Sequence, residues 1–449
     1  MNTKPDLQHC PALVVAAPSS GSGKTTVVAA LARLLTQQGK KVRVFKTGPD
    51  FIDPQFLSLA SKSPVYQLDL WMCGEDECRR LLAEAAVEAD IILIEGVMGM
   101  FDGQCSSADI AAKFSIPILA VVDAGAMAQT FGALVHGLAT YREDVTIFGV
   151  MANRVGSPRH AEMLQESLKP GVEFCGWLAK DTDLSLPERH LGLVQACELK
   201  DIEQRLDKAA SALAEHGDIP LPDPIDFSFH VDVTNKDYSC ALEGKTIAVA
   251  FDASFAFLYQ ANIDLLQEMG ANIAYFSPLA GDTLPACDAL YLPGGYPELN
   301  LTELANNAGL MAEINEHISQ QKPCLAECGG MLYLNQSLSN KQGETQTLVG
   351  ALNAKSEMQP KLAALGIVKA EFGAGKLTAG ERNAGELRGH TFHYSKTISD
   401  EAVMVRPVSQ YGRETDPVWY KHQTIASYIH WYFPSNPHVV AKMFNGELC

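Results

Sequence analysis

No run of apolar residues in this sequence is long enough to cross a bilayer. The first apolar stretch, Ala12–Ala17, is far shorter than the ~20 residues a membrane helix needs. It reads as a strand, and neither a signal peptide nor a membrane partner is expected. An excess of positive charge is also missing. Lysine and arginine total 35 against 53 acidic residues, a formal net charge of −18, and a nucleic-acid partner would require a basic patch. An anionic small substrate stays open, because a pocket can be basic on an acidic protein. Cysteines at metal-binding spacing are lacking as well. The 11 cysteines are scattered, and neither Cys73/Cys78 nor Cys324/Cys328 has the two-residue gap of a zinc pair. A reduced, cytoplasmic protein with buried thiols is the expectation. Internal repeats and low-complexity tracts are absent.

What is present is an alternation of short apolar runs with helical patterns, over a length that implies roughly two to three domains. Strands are expected at Ala12–Ala17, Val42–Lys46, Ile91–Glu95, Ile116–Val122 and Thr146–Met151. Between the first two, Val27, Val28, Leu31, Leu34 and Leu35 share a helical face, and Gly39 stands where that helix would stop. Strand–helix–strand repetition predicts an α/β fold with a parallel sheet covered by helices. The proline-rich stretch Ile219–Ile225 reads as a linker. Beyond it a second alternation begins, with strands at Thr246–Phe251, Asn272–Phe276, Ala289–Leu292 and Pro323–Glu327. A helix is expected around Ile263–Met269, and one long helical pattern runs to about Ser319. Residues 1–218, 219–243 and 244–449 are thus expected as first domain, linker and second domain.

The first strand runs into Ala17-Pro-Ser-Ser-Gly-Ser-Gly-Lys-Thr-Thr26 and then directly into a helix. Such a loop turns backbone N–H groups toward phosphate oxygens at the positive end of a helix. Ser20, Gly21, Ser22, Gly23, Lys24, Thr25 and Thr26 are the expected ATP-binding residues. Lys24 would reach the terminal phosphates, and Thr25 would bind magnesium (Mg2+). The common motif has glycine where this chain has Pro18. Acids follow the strands that end nearby: Asp50 and Asp53 after the second, Glu95 at the end of the third, Asp102 in the loop beyond. In an open parallel sheet these lie at the ligand-binding edge. Asp50 and Glu95 are expected to hold Mg2+ with Thr25, and Asp53 and Asp102 to contact substrate or metal. Asn153 could read an adenine edge.

In the second half, Pro323-Cys-Leu-Ala-Glu-Cys328-Gly-Gly-Met331 places a cysteine between a short strand and a glycine-led helix. A sharp turn of this kind exposes the sulfur, and a helix N-terminus favours thiolate. Leu292-Pro-Gly-Gly-Tyr-Pro-Glu298 follows another strand, so Gly294 and Gly295 could donate to an oxyanion. The base must be a histidine, and His390, His393, His422 and His430 compete for the role.

Taken together, these pieces resemble the cobyrinic acid a,c-diamide synthase family from about Leu13 to Phe433. The resemblance also rests on Phe45-Lys-Thr-Gly-Pro-Asp-Phe-Ile-Asp-Pro54, Leu68-Asp-Leu-Trp-Met72, Glu95-Gly-Val-Met-Gly-Met-Phe-Asp-Gly103, Gly389-His-Thr-Phe-His-Tyr-Ser395 and Ser427-Tyr-Ile-His430. It implies an N-terminal phosphate-loop domain similar to dethiobiotin synthetase, and a C-terminal α/β class I glutamine amidotransferase domain with Cys328 as nucleophile and His430 as its partner. Most class I domains carry a glutamate two residues past that histidine. This chain has Tyr432, a gap shared by the corrinoid amidases. The implied reaction is ATP- and glutamine-dependent amidation of the a and c carboxylates of cobyrinic acid. Metal-free hydrogenobyrinic acid and, less well, a nickel sirohydrochlorin are the rival substrates. A partitioning ATPase would need a lysine at Ser19 and would not use a glutaminase. A homodimer is compatible with the sequence.

Overall fold

A computed structural model describes residues 8–181, 198–199, 201–217, 219–229, 238–373 and 385–448. The chain forms two compact units, Met1–Leu70 with Gly74–Val231, and Trp71–Cys73 with Asp232–Cys449.

In the first unit, seven strands form one parallel sheet: β1 (Ala12–Ala16), β2 (Val42–Thr47), β3 (Val65–Leu68), β4 (Ile91–Glu95), β5 (Ile118–Asp123), β6 (Ile147–Val155) and β7 (Glu173–Ala179). Their order is β3-β2-β4-β1-β5-β6-β7. Central strands buried on both faces read as unbroken apolar runs, and every residue of β1 is fully buried. The two strands absent from the sequence reading, β3 and β7, are the edge strands, whose composition is mixed. Helix α1 (Lys24–Gln37) buries Val27, Val28, Leu31 and Leu35 as its periodicity predicts. It also buries Arg33, whose guanidinium pairs with Glu203 and Asp207 of α2 (Ile202–His216) at 2.5 and 2.7 Å. A charged residue thus lies on a face that periodicity would leave in water. In the proline-rich stretch, Ile225–Asp226 pairs antiparallel with His9–Cys10.

The second unit carries another seven-stranded sheet. Its members include β8 (Thr246–Ala250), β9 (Asn272–Phe276), β10 (Ala289–Leu292) and β11 (Cys324–Glu327), which leads into the short helix α3 (Gly329–Leu334). Later come β12 (Ala364–Glu371), β13 (Glu386–His393), β14 (Ala402–Val405), β15 (Val418–Lys421), β16 (Thr424–Ser427) and β17 (Ile429–Tyr432). The main sheet runs β9-β8-β10-β11-β16-β15-β14, parallel from β9 to β16 and antiparallel beyond. A smaller antiparallel sheet runs Val408–Ser409, β12, β13, β17.

One expectation needs correction, and one apolar run divides in two. The long helical pattern before Ser319 is two helices, Leu301–Asn306 and Ala308–Ser319. Asn307 separates them and caps the second by accepting from the Leu310 N–H. The apolar run through His430 is also two strands. β16 belongs to the parallel sheet and β17 to the smaller one, with Tyr428 between them. Among the described residues, no helix is long and apolar enough to cross a membrane.

Candidate functional site

The phosphate loop sits at the carboxyl end of β1. Gly21 and Gly23 adopt φ of 74° and 90°, where a side chain is strained. A β-carbon on Gly23 would also lie 2.0 Å from the Asn153 amide nitrogen. That amide donates to the Ser22 carbonyl at 2.9 Å, while its oxygen accepts from the Arg154 N–H. Asn153, expected to read a base, therefore braces the loop with the nitrogen end of its amide, while the oxygen end is held by the next residue of its own strand. Lys24 is almost fully buried and donates to the Ser19 and Met98 carbonyls at 3.3 and 2.7 Å. Burial, then the neighbouring Lys46 charge, lowers its affinity for a proton. A phosphate group at the loop would replace those carbonyls as its partner.

Ser20, Gly21, Thr25 and Thr26 line a cavity of about 590 Å³ together with Asp50, Asp53 and Glu95. Ser22 and Asp102 lie beside it in the fold rather than on its wall. Asp102 accepts from the Gly99 N–H at 3.1 Å and so closes its own turn. The residue that composition did not single out is Lys46. Its ammonium lies 2.9 Å from Asp53, 3.2 Å from Glu95 and 3.6 Å from Asp50. Burial works against that charge, but Glu95, Asp53 and Asp50 together outweigh it and keep Lys46 protonated. Burial, then the Asp53 charge, raises Asp50 to about 8. Burial likewise raises Glu95 to about 7, against the pull of Lys46. Asp53 is held low by Lys46 in spite of its burial. Part of the signal was present in the quoted stretch Phe45-Lys-Thr-Gly-Pro-Asp-Phe-Ile-Asp-Pro54: a lysine at the end of a buried strand with two acids just beyond, though not Glu95.

The expected Thr25–Asp50–Glu95 metal set is brought together only in part. Thr25 donates to Glu95 Oε1 at 2.6 Å, whereas Asp50 turns back to accept from the Ile52 and Asp53 N–H groups. Among the described residues, no three His, Cys, Asp or Glu side chains are grouped to hold a metal ion. Glu95 Oε2 is nevertheless buried with no hydrogen-bond partner. An orphaned carboxylate oxygen beside a threonine hydroxyl suits Mg2+, which takes one or two protein oxygens and draws the rest from phosphate and water.

Removing the central cation exposes the cost of this cluster. Lys46→Met is expected to destabilise the first unit by about 3–5 kcal/mol, because it strands buried carboxylates. Protonation relieves them, so the loss should grow as pH rises through the range of about 7 to about 8 in which Glu95 and Asp50 ionise. Chemical denaturation of both proteins across that range tests the sign. A pH-independent deficit would mean that packing, not charge, is lost.

In the second unit, β11 delivers Cys328 onto a turn with φ 41° and ψ −104°. A non-glycine residue in that region is strained, which is the mark of a nucleophile held away from its own backbone. The Cys328 N–H donates to the Ser427 carbonyl at 2.7 Å, tying the turn to the end of β16. β17 then starts in the other sheet and presents His430, which is 1% exposed. Gly294 and Gly295 lie between the two. A β-carbon on Gly294 would fall 2.1 Å from His430 Cε1, and one on Gly329 would fall 2.8 Å from the Gly295 nitrogen. Glycine at these positions allows the cysteine turn, the Gly294–Gly295 loop and the histidine to close on one another. The Gly294 carbonyl accepts from Phe257 N–H at 3.0 Å, which fixes the direction of that loop.

The electrostatics correct one expectation. Burial, then the Glu298 charge, raises the Cys328 thiol rather than favouring thiolate. Burial also lowers His430 well below an ordinary histidine. Burial thus favours the neutral thiol of Cys328 and the neutral imidazole of His430. Glu327 is a further residue that motif reading passed over. Its carboxylate accepts from Tyr291 O–H and from Trp431 N–H, both at 3.0 Å, and so locks the residue before Cys328 to the residue after His430. The other competing histidines have their own partners. His393 bonds Asp416 at 3.1 Å and stacks on Tyr428, and His422 occupies the turn between β15 and β16 with φ 55°. His390 stacks on His430.

Comparison with known proteins adds an independent finding. Residues 246–438 match the family described as CobB/CobQ-like glutamine amidotransferase domain, and residues 13–194 match the CobQ/CobB/MinD/ParA nucleotide binding domain. The chain is 52% identical over 97% of its length to a hydrogenobyrinate a,c-diamide synthase of Pseudomonas aeruginosa, covering 97% of that protein. It is 51% identical over 97% of its length to the enzyme of the same name from Stutzerimonas stutzeri, covering 99% of it. A cobyrinate a,c-diamide synthase from Herminiimonas arsenicoxydans is 43% identical, with 97% of each chain aligned.

Proposed function

Because the chain belongs to the family of cobyrinate and hydrogenobyrinate a,c-diamide synthases, we propose that it amidates the a and c side-chain carboxylates of a cobyrinic-acid-type macrocycle, using ATP and glutamine. The observation that carries this reading is full-length similarity to relatives that unite the same two domains. A carboxylate resists ammonia because its leaving group would be oxide. Transfer of the terminal phosphoryl group of ATP to the carboxylate gives an acyl phosphate, whose leaving group is phosphate. Lys24 neutralises charge on the transferring group, and the loop N–H groups from Ser20 to Thr26 hold the phosphates in line. Thr25 and Glu95 would hold Mg2+, with Asp50 close by, and the ion would neutralise phosphate charge. Lys46 and Asp53 line the same cavity, and with Asp102 in the adjoining loop they are assigned to the substrate side.

Ammonia comes from glutamine. Cys328 attacks the amide carbon while His430 takes the thiol proton, and N–H groups at Gly294 and Gly295 stabilise the oxyanion. His430 returns the proton to the departing ammonia, and water clears the thioester. The substrates are small molecules and free glutamine, so we assign the reaction to the cytoplasm, without nucleic acid or membrane.

Of the two macrocycles, the metal-free one is favoured by the relatives at 52% and 51% identity, and the cobalt one by that at 43%. Mass spectrometry after incubation of each macrocycle with ATP, Mg2+ and glutamine decides between them. Two successive hydroxyl-to-amino exchanges, each matched by ATP consumption, are expected. Glutamine hydrolysis without a change in either macrocycle would move the reading to a different carboxylate.

A further inference from the structure

His430 has a close neighbour that the mechanism above leaves idle. β13 and β17 pair antiparallel with His390 directly opposite His430, so both side chains leave the same face of the small sheet. Their rings stack, with centroids 4.9 Å apart and planes within 19°. His390 Nδ1 is in turn 2.8 Å from the Tyr259 hydroxyl. Tyr259 is 2% exposed and packs edge-on against Tyr432 at 5.7 Å. Tyr432 lies two residues beyond His430 on β17 and therefore shares its face. Gly294 lies against the Cε1 edge of the His430 ring, where a β-carbon would fall 2.1 Å from Cε1.

We propose that His390 is a positioning residue for glutamine hydrolysis: anchored by Tyr259, it presents its ring face to His430 and holds that imidazole in the plane from which it exchanges protons with Cys328. The inference rests on the amidotransferase reading of Cys328 and His430. An imidazole with one face stacked on a neighbouring ring and its Cε1 edge against a glycine backbone is held in its orientation. When His430 takes up the thiol proton, its new charge lies against a neutral π face rather than a second cation. Burial lowers His390 to about 3, so it stays neutral while this happens.

The test compares His390→Ala, His390→Phe and Tyr259→Phe with the intact enzyme. Glutamine hydrolysis is measured as kcat and KM, and ammonia-driven amidation is measured in parallel. In His390→Ala, kcat for glutamine is expected to fall about 30- to 100-fold, the scale of a misplaced catalytic group, with KM little changed. His390→Phe keeps a ring face and should recover most of that loss. Tyr259→Phe should fall between the two. Amidation with free ammonia should match the intact enzyme in all three, which excludes general damage. The proposal is overturned if His390→Ala hydrolyses glutamine at the normal kcat, or if His390→Phe is no better than alanine. It is overturned equally if ammonia-driven amidation falls in step. Failure of the intact enzyme to hydrolyse glutamine would instead overturn the underlying reading, and that control is scored before any variant.

Discussion

Cys328→Ser should abolish glutamine-driven amidation and leave ammonia-driven amidation intact. The expected loss is on the order of 10⁴-fold or more, because a nucleophile acts with its base as a unit and its removal costs most of the covalent route. The structure sharpens this expectation. Cys328 lies on a strained turn whose N–H is fixed to Ser427, and its thiol is raised by burial. A serine hydroxyl would sit in the same place with a far higher pKa and the same buried base, so it could not substitute. Free ammonia bypasses this chemistry, since it enters the reaction after the glutaminase step. Measuring amide formation with glutamine and with ammonium chloride in the same preparation separates the two. Equal loss with both donors would show that Cys328 supports folding rather than ammonia release.

Lys24→Met is expected to give the opposite pattern. Amidation should fall about 10³-fold with either nitrogen donor, the scale of removing one charge that stabilises phosphoryl transfer. Glutamine hydrolysis should continue, because Cys328 and His430 belong to the other compact unit. The stem of methionine retains the packing of the largely buried lysine, so stability is a minor part of the effect. In the resting protein the ammonium spends its bonds on the Ser19 and Met98 carbonyls. The loop is therefore preformed, and the variant should lose rate more than structure. Persistence of ammonia-driven amidation at the normal rate would remove Lys24 from the phosphoryl-transfer step.

The sequence by itself determined the parallel α/β character of both units, since central strands buried on two faces must be apolar throughout. Ile91–Glu95 and Ala289–Leu292 were legible to the residue for this reason. The loop around Lys24 and the turn around Cys328 were legible because glycine-dependent backbone leaves a mark in composition. Edge strands such as Val65–Leu68 were not, because one exposed side admits polar residues and erases the pattern.

Only the tertiary structure decided which groups meet. Lys46 and its three acids come from two neighbouring strands and the loop beyond one of them, so no local spacing reveals the cluster. Glu327 gains its meaning from Tyr291 and Trp431, both distant in sequence. The four late histidines were equivalent as letters in the chain, and resemblance alone had singled out His430. A switch of sheet at Tyr428 turns His430 toward Gly294 and sets His390 across from it, while His393 and His422 are carried elsewhere. Sequence records the conformational demands of each segment. Strand pairing across long separations selects the partner of each side chain, and that selection makes the chemistry.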